Sequence, residues 1–247
     1  MDLRIKGRKA IVCASSEGLG YASAYALAQA GCPLIMNGRS KDKLEAAAAE
    51  VRGETGATVT TVAADVSKPD GRAAIIAACP DPDILVTNAG GPPKKDFREL
   101  TAQDWQSALE SNMLSAVALI THYADGMMAR GFGRIVNVTS MTSVRPAINL
   151  DLSNAARLGL TGFVAGVSRQ VAGRNVTINN LLPGAFATAR IKALAADEAE
   201  ISKTIPAGRF GRPQEFGETC AFLCSEAAGY ITGQNVLIDG GFCMNTL

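Results

Sequence analysis

The sequence predicts a single α/β domain built on a doubly wound parallel sheet of about seven strands. Short β-branched runs alternate with longer Ala- and Leu-rich segments from one end of the 247 residues to the other. The first of these runs leads through a glycine-rich turn directly into a helical pattern. No linker, low-complexity tract or internal repeat divides the chain, so we expect one domain over residues 1–247.

The strands and helices are expected to follow one another in strict alternation. The strand candidates are 9–14, 33–37, 58–64, 83–89, 134–140, 175–183 and 234–239. The helix candidates are about 18–31, 40–52, 68–78, 103–130, 152–172 and 213–227. Such alternation implies right-handed crossovers and a sheet covered by helices on both faces. The remaining stretch, about 184–212, is rich in Ala and charge and follows a strand end, so we expect a substrate lid there.

Composition and charge exclude several classes of protein. Lys plus Arg number 24 against 23 for Asp plus Glu, and no basic block stands out, so we expect no nucleic-acid partner. No apolar stretch approaches membrane-spanning length, and the first residues do not resemble a secretory signal. We therefore expect a cytoplasmic protein, not bound to a membrane, whose partner is a small-molecule substrate.

Cysteine and histidine give no sign of a metal site. The six cysteines have no C-x-x-C spacing and are expected to be buried packing residues; they are Cys13, Cys32, Cys79, Cys220, Cys224 and Cys243. Cys220 and Cys224 share a helical face, but the single histidine, His122, leaves a zinc site short of ligands. His122 is expected at a helix surface or in packing, and no G-x-S-x-G motif accompanies it.

The turn after the first strand, CASSEGLG (13–20), is typical of a dinucleotide site. Gly18 and Gly20 allow backbone amides to approach a pyrophosphate, and the following helix supplies partial positive charge at its N-terminus. Rossmann-like folds bind nucleotides in this way. Taken alone, the turn is equally compatible with a tight connection that binds nothing.

Further motifs follow in order along the chain. They are ADV (64–66), NAG (88–90), Asn112, Ser140, PGAFAT (183–188) and the tail 211–241. Together with the glycine turn, they resemble the short-chain dehydrogenase/reductase family, in its 3-oxoacyl-ACP-reductase-like branch. The family's T-G-x-x-x-G-x-G pattern is matched by Cys13, Ala14, Gly18 and Gly20.

The resemblance implies which residues bind the cofactor. They are Cys13, Ala14, Ser15, Ser16, Gly18, Leu19, Gly20, Arg39, Asp65, Val66, Asn88, Ala89, Gly90, Pro183, Gly184 and Thr188. It also implies a homotetramer or dimer, assembled through the apolar C-terminal helix and last strand, about 213–239.

Two residues of the glycine turn depart from the family pattern. Ala14 replaces the first glycine, which we expect to be tolerated only if its φ stays negative. Cys13 replaces Thr and exchanges a good hydroxyl donor for a weak thiol. We expect a looser turn that still binds a dinucleotide.

The end of the second strand favours NADP(H), with NAD(H) as the alternative. Gly38 leaves empty the place where an NAD-specific site offers a carboxylate, and Arg39 can pair with a 2′-phosphate. Arg39 is otherwise a solvated residue at a helix start. Glu17 argues against NADP(H), because many NADP-preferring relatives have a basic residue there and a carboxylate would repel the phosphate.

The family's catalytic pattern, S-x12-Y-x3-K with an earlier Asn, is incomplete here. Counting from Ser140 places Ser153 at the Tyr position and Arg157 at the Lys position, and GLTGF (159–163) fixes the same register. Ser does not ionise in a useful range and Arg stays protonated, so this pair does not supply the usual acid. The resemblance implies that Ser140 holds a substrate oxygen, that Arg157 binds ribose hydroxyls or an anion, and that Asn112 keeps a kink and a water relay.

Other proton sources stay open. The candidates are ordered water, the substrate itself, Tyr21, Tyr123, Tyr230, His122 and a water activated by Asp151. Arg145, in the loop 141–151, is a candidate to hold a substrate carboxylate. Asp151 and Arg145 are otherwise solvated loop charges.

Three functions fit these observations. The favoured one is an NADP-dependent oxidoreductase acting on a carbonyl, imine or activated alkene with a non-standard proton donor. The second is a catalytically silent cofactor-binding or assembly protein. The third is a lyase similar to halohydrin dehalogenases, which use Ser, Tyr and Arg, although this chain lacks the Tyr and keeps the glycine turn. Substrate identity depends on loops 141–151 and 184–212, about which the fold says nothing.

Overall fold

Seven parallel strands form one sheet in the order β3-β2-β1-β4-β5-β6-β7. The computed structural model describes residues 2–189 and 198–244. Within them the strands are β1 (Ala10–Val12), β2 (Leu34–Gly38), β3 (Val59–Ala63), β4 (Ile84–Thr87), β5 (Gly133–Val138), β6 (Val176–Pro183) and β7 (Asn235–Ile238). Each of the seven predicted strands is confirmed, with its ends shifted by a few residues at most.

Helices connect the strands and cover both faces of the sheet. They are α1 (Gly18–Gln29), α2 (Lys41–Thr55), α3 (Pro69–Ala78), α4 (Ala102–Leu109), α5 (Ser115–Arg130), α6 (Asp151–Val171), α7 (Glu198–Thr204) and α8 (Pro213–Leu223). Short 3-10 turns lie at Phe97–Glu99, Met141–Ser143 and Ala172–Arg174.

Alternate residues of the buried strands pack into two separate cores. In β1, Ala10 and Val12 belong to a cluster that includes Leu27 of α1. Ile11 lies in a second cluster with Leu160 of α6. Successive side chains of a strand point to opposite faces, so a strand buried on both sides is apolar throughout. This confirms the predicted doubly wound, Rossmann-like fold.

The predicted helix 103–130 is interrupted. Glu110–Leu114 forms one π-helical turn between α4 and α5. No Gly or Pro marks this interruption in the sequence. Single π-turns within helices commonly occur at functional sites. Asn112, which the resemblance places at a kink, lies within the turn.

The predicted lid contains one described helix, α7. Its two ends are joined by backbone hydrogen bonds, from Gly211 N to Ala185 O at 3.0 Å and from Ala187 N to Gly211 O at 2.9 Å. The part of the lid at 190–197 lies outside the described residues.

The order of the strands reverses between β1 and β4. The strands that follow β1 in the chain extend the sheet to one side, and those from β4 onward extend it to the other. β1 pairs with β2 on one side and with β4 on the other. At such a switch point the loops that leave the two strands diverge and open a crevice at the carboxyl ends of the strands. The candidate site lies there.

A row of hydrogen-bonded side chains crosses four of the strands. Thr87 Oγ1 donates to Asn137 Oδ1 at 2.7 Å, and Asn137 Nδ2 donates to Asn180 Oδ1 at 3.0 Å. Asn180 Nδ2 then donates to Asn235 Oδ1 at 2.8 Å. The row ties β4, β5, β6 and β7 together just before the residues that enter the site.

Five of the six cysteines are buried, and Cys243 is partly exposed. Burial raises the pKa of the Cys13 thiol to about 12, with a smaller opposing effect from a hydrogen bond to the Asn88 backbone. In the described ranges, no group of three His, Cys, Asp or Glu side chains is placed to hold a metal ion. Among the helices of residues 2–189 and 198–244, none has the length and apolar character needed to cross a bilayer.

Candidate functional site

A cleft of about 820 Å³ lies at the carboxyl ends of the strands. A volume of this size is in the range of cofactor and ligand sites. One half is formed by the turns after β1, β2 and β3, and the other by the loops after β4, β5 and β6 with the first turns of α6. Most residues of the two predicted sets, cofactor-binding and catalytic, thus meet in one continuous cleft.

Most of the predicted cofactor residues line this cleft. They are Ala14, Ser16, Gly18, Leu19, Arg39, Asp65, Val66, Asn88, Ala89, Gly90, Pro183, Gly184 and Thr188. Cys13, Ser15 and Gly20 lie beneath it and form the frame of the turn. Ser15 Oγ accepts from Asn37 N at 3.1 Å and donates to Asn37 O at 3.2 Å, which fixes the turn against β2.

Ala14 adopts the left-handed conformation, with a φ of 46°. The expectation of a negative φ is therefore wrong. The Ala14 carbonyl is held by the Asn88 amide, with Nδ2 to O at 3.3 Å. It also packs so close to Gly20 that a Cβ there would lie 2.1 Å from the Ala14 oxygen. These contacts hold Ala14 in a conformation that glycine adopts more readily than alanine does.

The start of α1 is shaped to receive an anion. Gly18 has a φ of 62° and lies at the first position of the helix, facing Thr188 across the cleft. Backbone amides at a helix N-terminus carry partial positive charge. Because Gly18 has no side chain, a pyrophosphate has room to approach these amides, and the residues present fit a dinucleotide.

Charged groups surround the end of the cleft that is formed by the turns after β1, β2 and β3. The Arg39 guanidinium lies beside Gly90, 4.0 Å from where a Cβ of that glycine would be. Partial burial acts to raise the pKa of Asp65, but hydrogen bonds from Ser67 and the charge of Arg39 outweigh it and lower this pKa. Glu17 pairs with Lys43 of α2, with Oε2 to Nζ at 3.5 Å. The sequence analysis missed Lys43, although it lies four residues after Arg39.

Ser153 and Arg157 lie one turn apart on α6 and face the cleft. Each is only 8% exposed. Arg157 Nε donates to Ser153 Oγ at 3.1 Å, and Nη1 donates to the carbonyl oxygens of Val138 and Thr139 at the end of β5. The guanidinium therefore holds the start of α6 against the end of β5 and fixes the position of the Ser153 oxygen.

Ser140 follows β5 and lines the same part of the cleft. Its Oγ accepts a hydrogen bond from Thr142 N at 3.1 Å, which begins the 3-10 turn. Thr142 also lines the cleft but was missed by the sequence analysis; it is 5% exposed, and its Oγ1 is buried without a hydrogen-bond partner among the described residues.

Asn112 lies next to the cleft without lining it. Its Nδ2 donates to Ser111 Oγ at 2.7 Å and to Ala108 O at 3.4 Å, and both of those residues line the cleft. Its Oδ1 is buried without a partner among the described residues. A buried amide oxygen in this state is a place where an ordered water can bind.

The alternative proton donors lie elsewhere. Tyr123 is buried and donates to Cys79 O at 3.0 Å, Tyr230 is fully exposed, and His122 is exposed beside Tyr123. Tyr21 and Asp151 do not line the cleft either. Arg145 Nη1 donates to Phe242 O at 2.9 Å, and its guanidinium stacks over the Phe242 ring. The structure therefore does not place Arg145 or Asp151 where a substrate would bind.

Few groups that line the cleft can exchange protons near neutral pH. In the part of the chain that the structure describes, no Tyr, Lys, His or Cys lines it, and its carboxyl groups are Glu17, Asp65 and Asp104. Hydrogen bonds from the Thr101 amide and hydroxyl, and from Lys95, lower the pKa of Asp104 to about 2. The cleft is instead rich in hydroxyl groups, among them Ser107 and Ser111, which the sequence analysis also missed.

Comparison with known proteins adds independent findings. A family model described as enoyl-(acyl carrier protein) reductase matches residues 13–243. The chain is 30% identical to the 3-oxoacyl-[acyl-carrier-protein] reductase FabG of Aquifex aeolicus over 246 residues, covering 98% of this chain and 99% of that protein. It is 32% identical to the acetoacetyl-CoA reductase of Allochromatium vinosum over 247 residues, covering 96% and 99%.

Solved structures agree with the sequence comparison. The structure of YwfH, an NADPH-dependent reductase involved in bacilysin biosynthesis, superposes with a TM-score of 0.93 at 29% identity, covering 97% of this chain and 100% of that one. L-sorbose reductase from Gluconobacter frateurii, complexed with NADPH and L-sorbose, gives a TM-score of 0.93 at 29% identity, covering 99% and 100%.

Proposed function

The chain belongs to the short-chain dehydrogenase/reductase family, and we propose that it is an NADP(H)-dependent oxidoreductase that interconverts a carbonyl and an alcohol without a phenolic proton donor. Its activity is similar to that of 3-oxoacyl reductases. The single observation that carries this proposal is the continuous cleft, in which a glycine-turn nucleotide half meets Ser140, Ser153 and Arg157.

The dinucleotide would be held by the turn at Ala14–Leu19, by Asp65 and Val66, and by residues 88–90 and 183–188. Arg39 supports NADP(H) over NAD(H), because its guanidinium at the edge of the cleft suits a 2′-phosphate. The repulsion expected from Glu17 is reduced by its ion pair with Lys43.

A bound nicotinamide would supply a hydride equivalent. Ser140 and Ser153 would hold the substrate oxygen by hydrogen bonds, and Arg157 would keep Ser153 in place. Neither hydroxyl gives up its proton near neutral pH, so we assign the proton to water. Asn112 would hold such a water at its unpartnered oxygen.

Two further features belong to this proposal. The segment 184–212 would cover the substrate, since hydrogen bonds near both ends close it into a loop beside the cleft. The chain would form a homotetramer or a dimer through α8 and β7, because β7 is an edge strand whose Val236, Leu237 and Ile238 are only partly buried.

Calorimetry with NADPH and NADH, followed by turnover of acetoacetyl-CoA, tests the proposed function. We expect NADPH to bind more tightly and turnover to be measurable in the natural chain. The double variant Ser153→Tyr with Arg157→Lys is the comparison. If NADPH binds but only the double variant turns over substrate, the natural chain is a silent cofactor-binding protein. Absence of heat with both nucleotides, in folded protein, would overturn the proposal entirely.

A further inference from the structure

Two hydroxyl groups at the substrate end of the cleft, those of Ser140 and Ser153, have protons that no group in the described part of the chain accepts. Ser153 Oγ accepts from Arg157 Nε, and Ser140 Oγ accepts from Thr142 N, each at 3.1 Å. In residues 2–189 and 198–244, neither serine donates a hydrogen bond to a protein acceptor. Because a hydroxyl has one proton to donate, each of the two can donate to a ligand.

Positive charge lies directly behind these hydroxyls. The Arg157 guanidinium is buried and bonded to the Ser153 oxygen, so it polarises the hydroxyl outward. Ser153 also lies in the first turn of α6, a helix of 21 residues whose N-terminus adds partial positive charge. Asp151 is in the same turn and opposes this effect, but it does not line the cleft.

The groups that line the cleft favour binding a charge over delivering a proton. Its described lining has no side chain of the types that titrate near neutral pH. Hydroxyl donors backed by a cation stabilise negative charge on an oxygen, as donors arranged for an oxyanion do in other enzymes. A site of this kind suits an oxygen whose charge is spread over a conjugated system, since a simple alkoxide is basic enough to take a proton from water.

We propose that Ser140 and Ser153, backed by Arg157, form an oxyanion site whose ligand class is the conjugated oxyanion, a phenolate or an enolate. The site binds the charged oxygen in preference to the neutral hydroxyl of the same molecule. The role of this site in turnover rests on the proposed function, whereas its binding of an oxyanion does not.

The probe for this site is 4-nitrophenol, whose ionised form absorbs visible light. The probe is titrated with the full chain from pH 5 to pH 9, with and without NADP⁺, and the absorbance of the bound form is followed. We expect the bound probe to ionise at least one pH unit lower than the free probe, which corresponds to a preference of about tenfold for the phenolate. Nitrobenzene, which has no hydroxyl, should compete weakly and without pH dependence.

Three variants identify the donors. Ser140→Ala and Ser153→Ala should each reduce the preference for phenolate by about tenfold, because each removes one hydrogen bond to a charged oxygen. Thr177→Val is the matched control. The Thr177 hydroxyl is buried without a partner among the described residues and lies on β6 outside the cleft, so its loss should leave the preference unchanged.

Three results would overturn the oxyanion site. They are no saturable binding of the probe at any pH, ionisation of the bound probe at the same or a higher pH than the free probe, and a preference that survives in both cleft variants. Failure of the proposed function looks different, since NADPH binding or substrate turnover would be lost while the phenolate preference remained.

Discussion

Arg157 Nε donates a hydrogen bond to Ser153 Oγ over 3.1 Å, and the same guanidinium bonds the carbonyl oxygens of Val138 and Thr139. One side chain therefore orients the hydroxyl at the site and also attaches α6 to β5. The two roles can be separated because the second one contributes to stability whether or not any ligand is bound.

We expect Arg157→Met to lower the free energy of unfolding by about 2–4 kcal/mol, since two buried carbonyl groups lose their donors at about 1–3 kcal/mol each. Ser153→Ala removes only one acceptor, and we expect it to cost about 1 kcal/mol. Urea denaturation measures both. Equal stability of the Met variant and the natural chain would contradict the structural role of Arg157.

Ala14→Gly should stabilise the protein by about 1 kcal/mol, because Ala14 has a φ of 46° and glycine adopts that conformation without steric cost. For a domain of this size, the gain corresponds to a rise of roughly 2–4 °C in the midpoint of thermal unfolding. Scanning calorimetry of the two proteins measures it.

The same substitution at Ala49 is the control. Ala49 is an exposed residue inside α2, where glycine costs about 1 kcal/mol relative to alanine. We expect opposite signs at the two positions. A destabilised Ala14→Gly variant would show that the turn does not hold residue 14 in the left-handed region.

Arg39→Ala should weaken NADPH binding by about tenfold or more, because one charge-assisted hydrogen bond to the 2′-phosphate is worth about 1.5–3 kcal/mol. NADH has no such phosphate, so its affinity should change little. Fluorescence titration gives both dissociation constants, and Arg98→Ala, which removes an exposed charge paired with Asp96, is the control. Equal losses for the two nucleotides would remove Arg39 from the phosphate site.

Asp104 should contribute to stability only above acidic pH. Hydrogen bonds from Thr101 and Lys95 lower the pKa of Asp104 in the folded protein to about 2. The pKa of an Asp in an unfolded chain is about 3.9. A lowered folded pKa means that the contribution is complete above about pH 4 and is lost as the pH falls towards 2.

Thermal unfolding of Asp104→Asn and of the natural chain, measured between pH 2 and pH 7, tests this. The natural chain should be the more stable above pH 5, and the difference should shrink towards zero near pH 2. Glu218→Gln, an exposed change on α8, should show no such convergence. A difference that is independent of pH would exclude the carboxylate of Asp104 as its source.

The fold could be predicted from the sequence because its signals are local. Each buried strand is a short apolar run, and each helix shows its own periodicity, as Ile11 and Leu160 illustrate on one face of the sheet. The π-turn at Glu110–Leu114 escaped prediction because it interrupts a helix without Gly or Pro.

The site was predictable in outline but not in its contacts. The conformation of Ala14 depends on Asn88, 74 residues away, and Arg145 is held by Phe242, 97 residues away. Such partners come together only through the fold. The Glu17–Lys43 pair likewise depends on how closely α2 approaches the glycine turn, which no spacing in the sequence indicates.

The last prediction concerns the hydrogen-bonded row Thr87–Asn137–Asn180–Asn235. Each interior asparagine both accepts and donates, so removing one leaves a donor and an acceptor unpaired inside the sheet. Asn137→Leu keeps the branched shape and the number of side-chain heavy atoms but leaves the Thr87 hydroxyl and the Asn180 oxygen without their partners. At about 1–3 kcal/mol for each buried group, we expect a loss of about 2–4 kcal/mol in the free energy of unfolding.

A double-mutant cycle with Asn180→Leu separates this row from simple loss of packing. If the two side chains act as one hydrogen-bonded unit, the second substitution should cost less once the first is present, with a coupling of about 1 kcal/mol or more. Urea denaturation of the four proteins gives the coupling. Additive losses would mean that Asn180→Leu costs the same whether or not Asn137 is present. Each asparagine would then stabilise its strand independently of the bond between them.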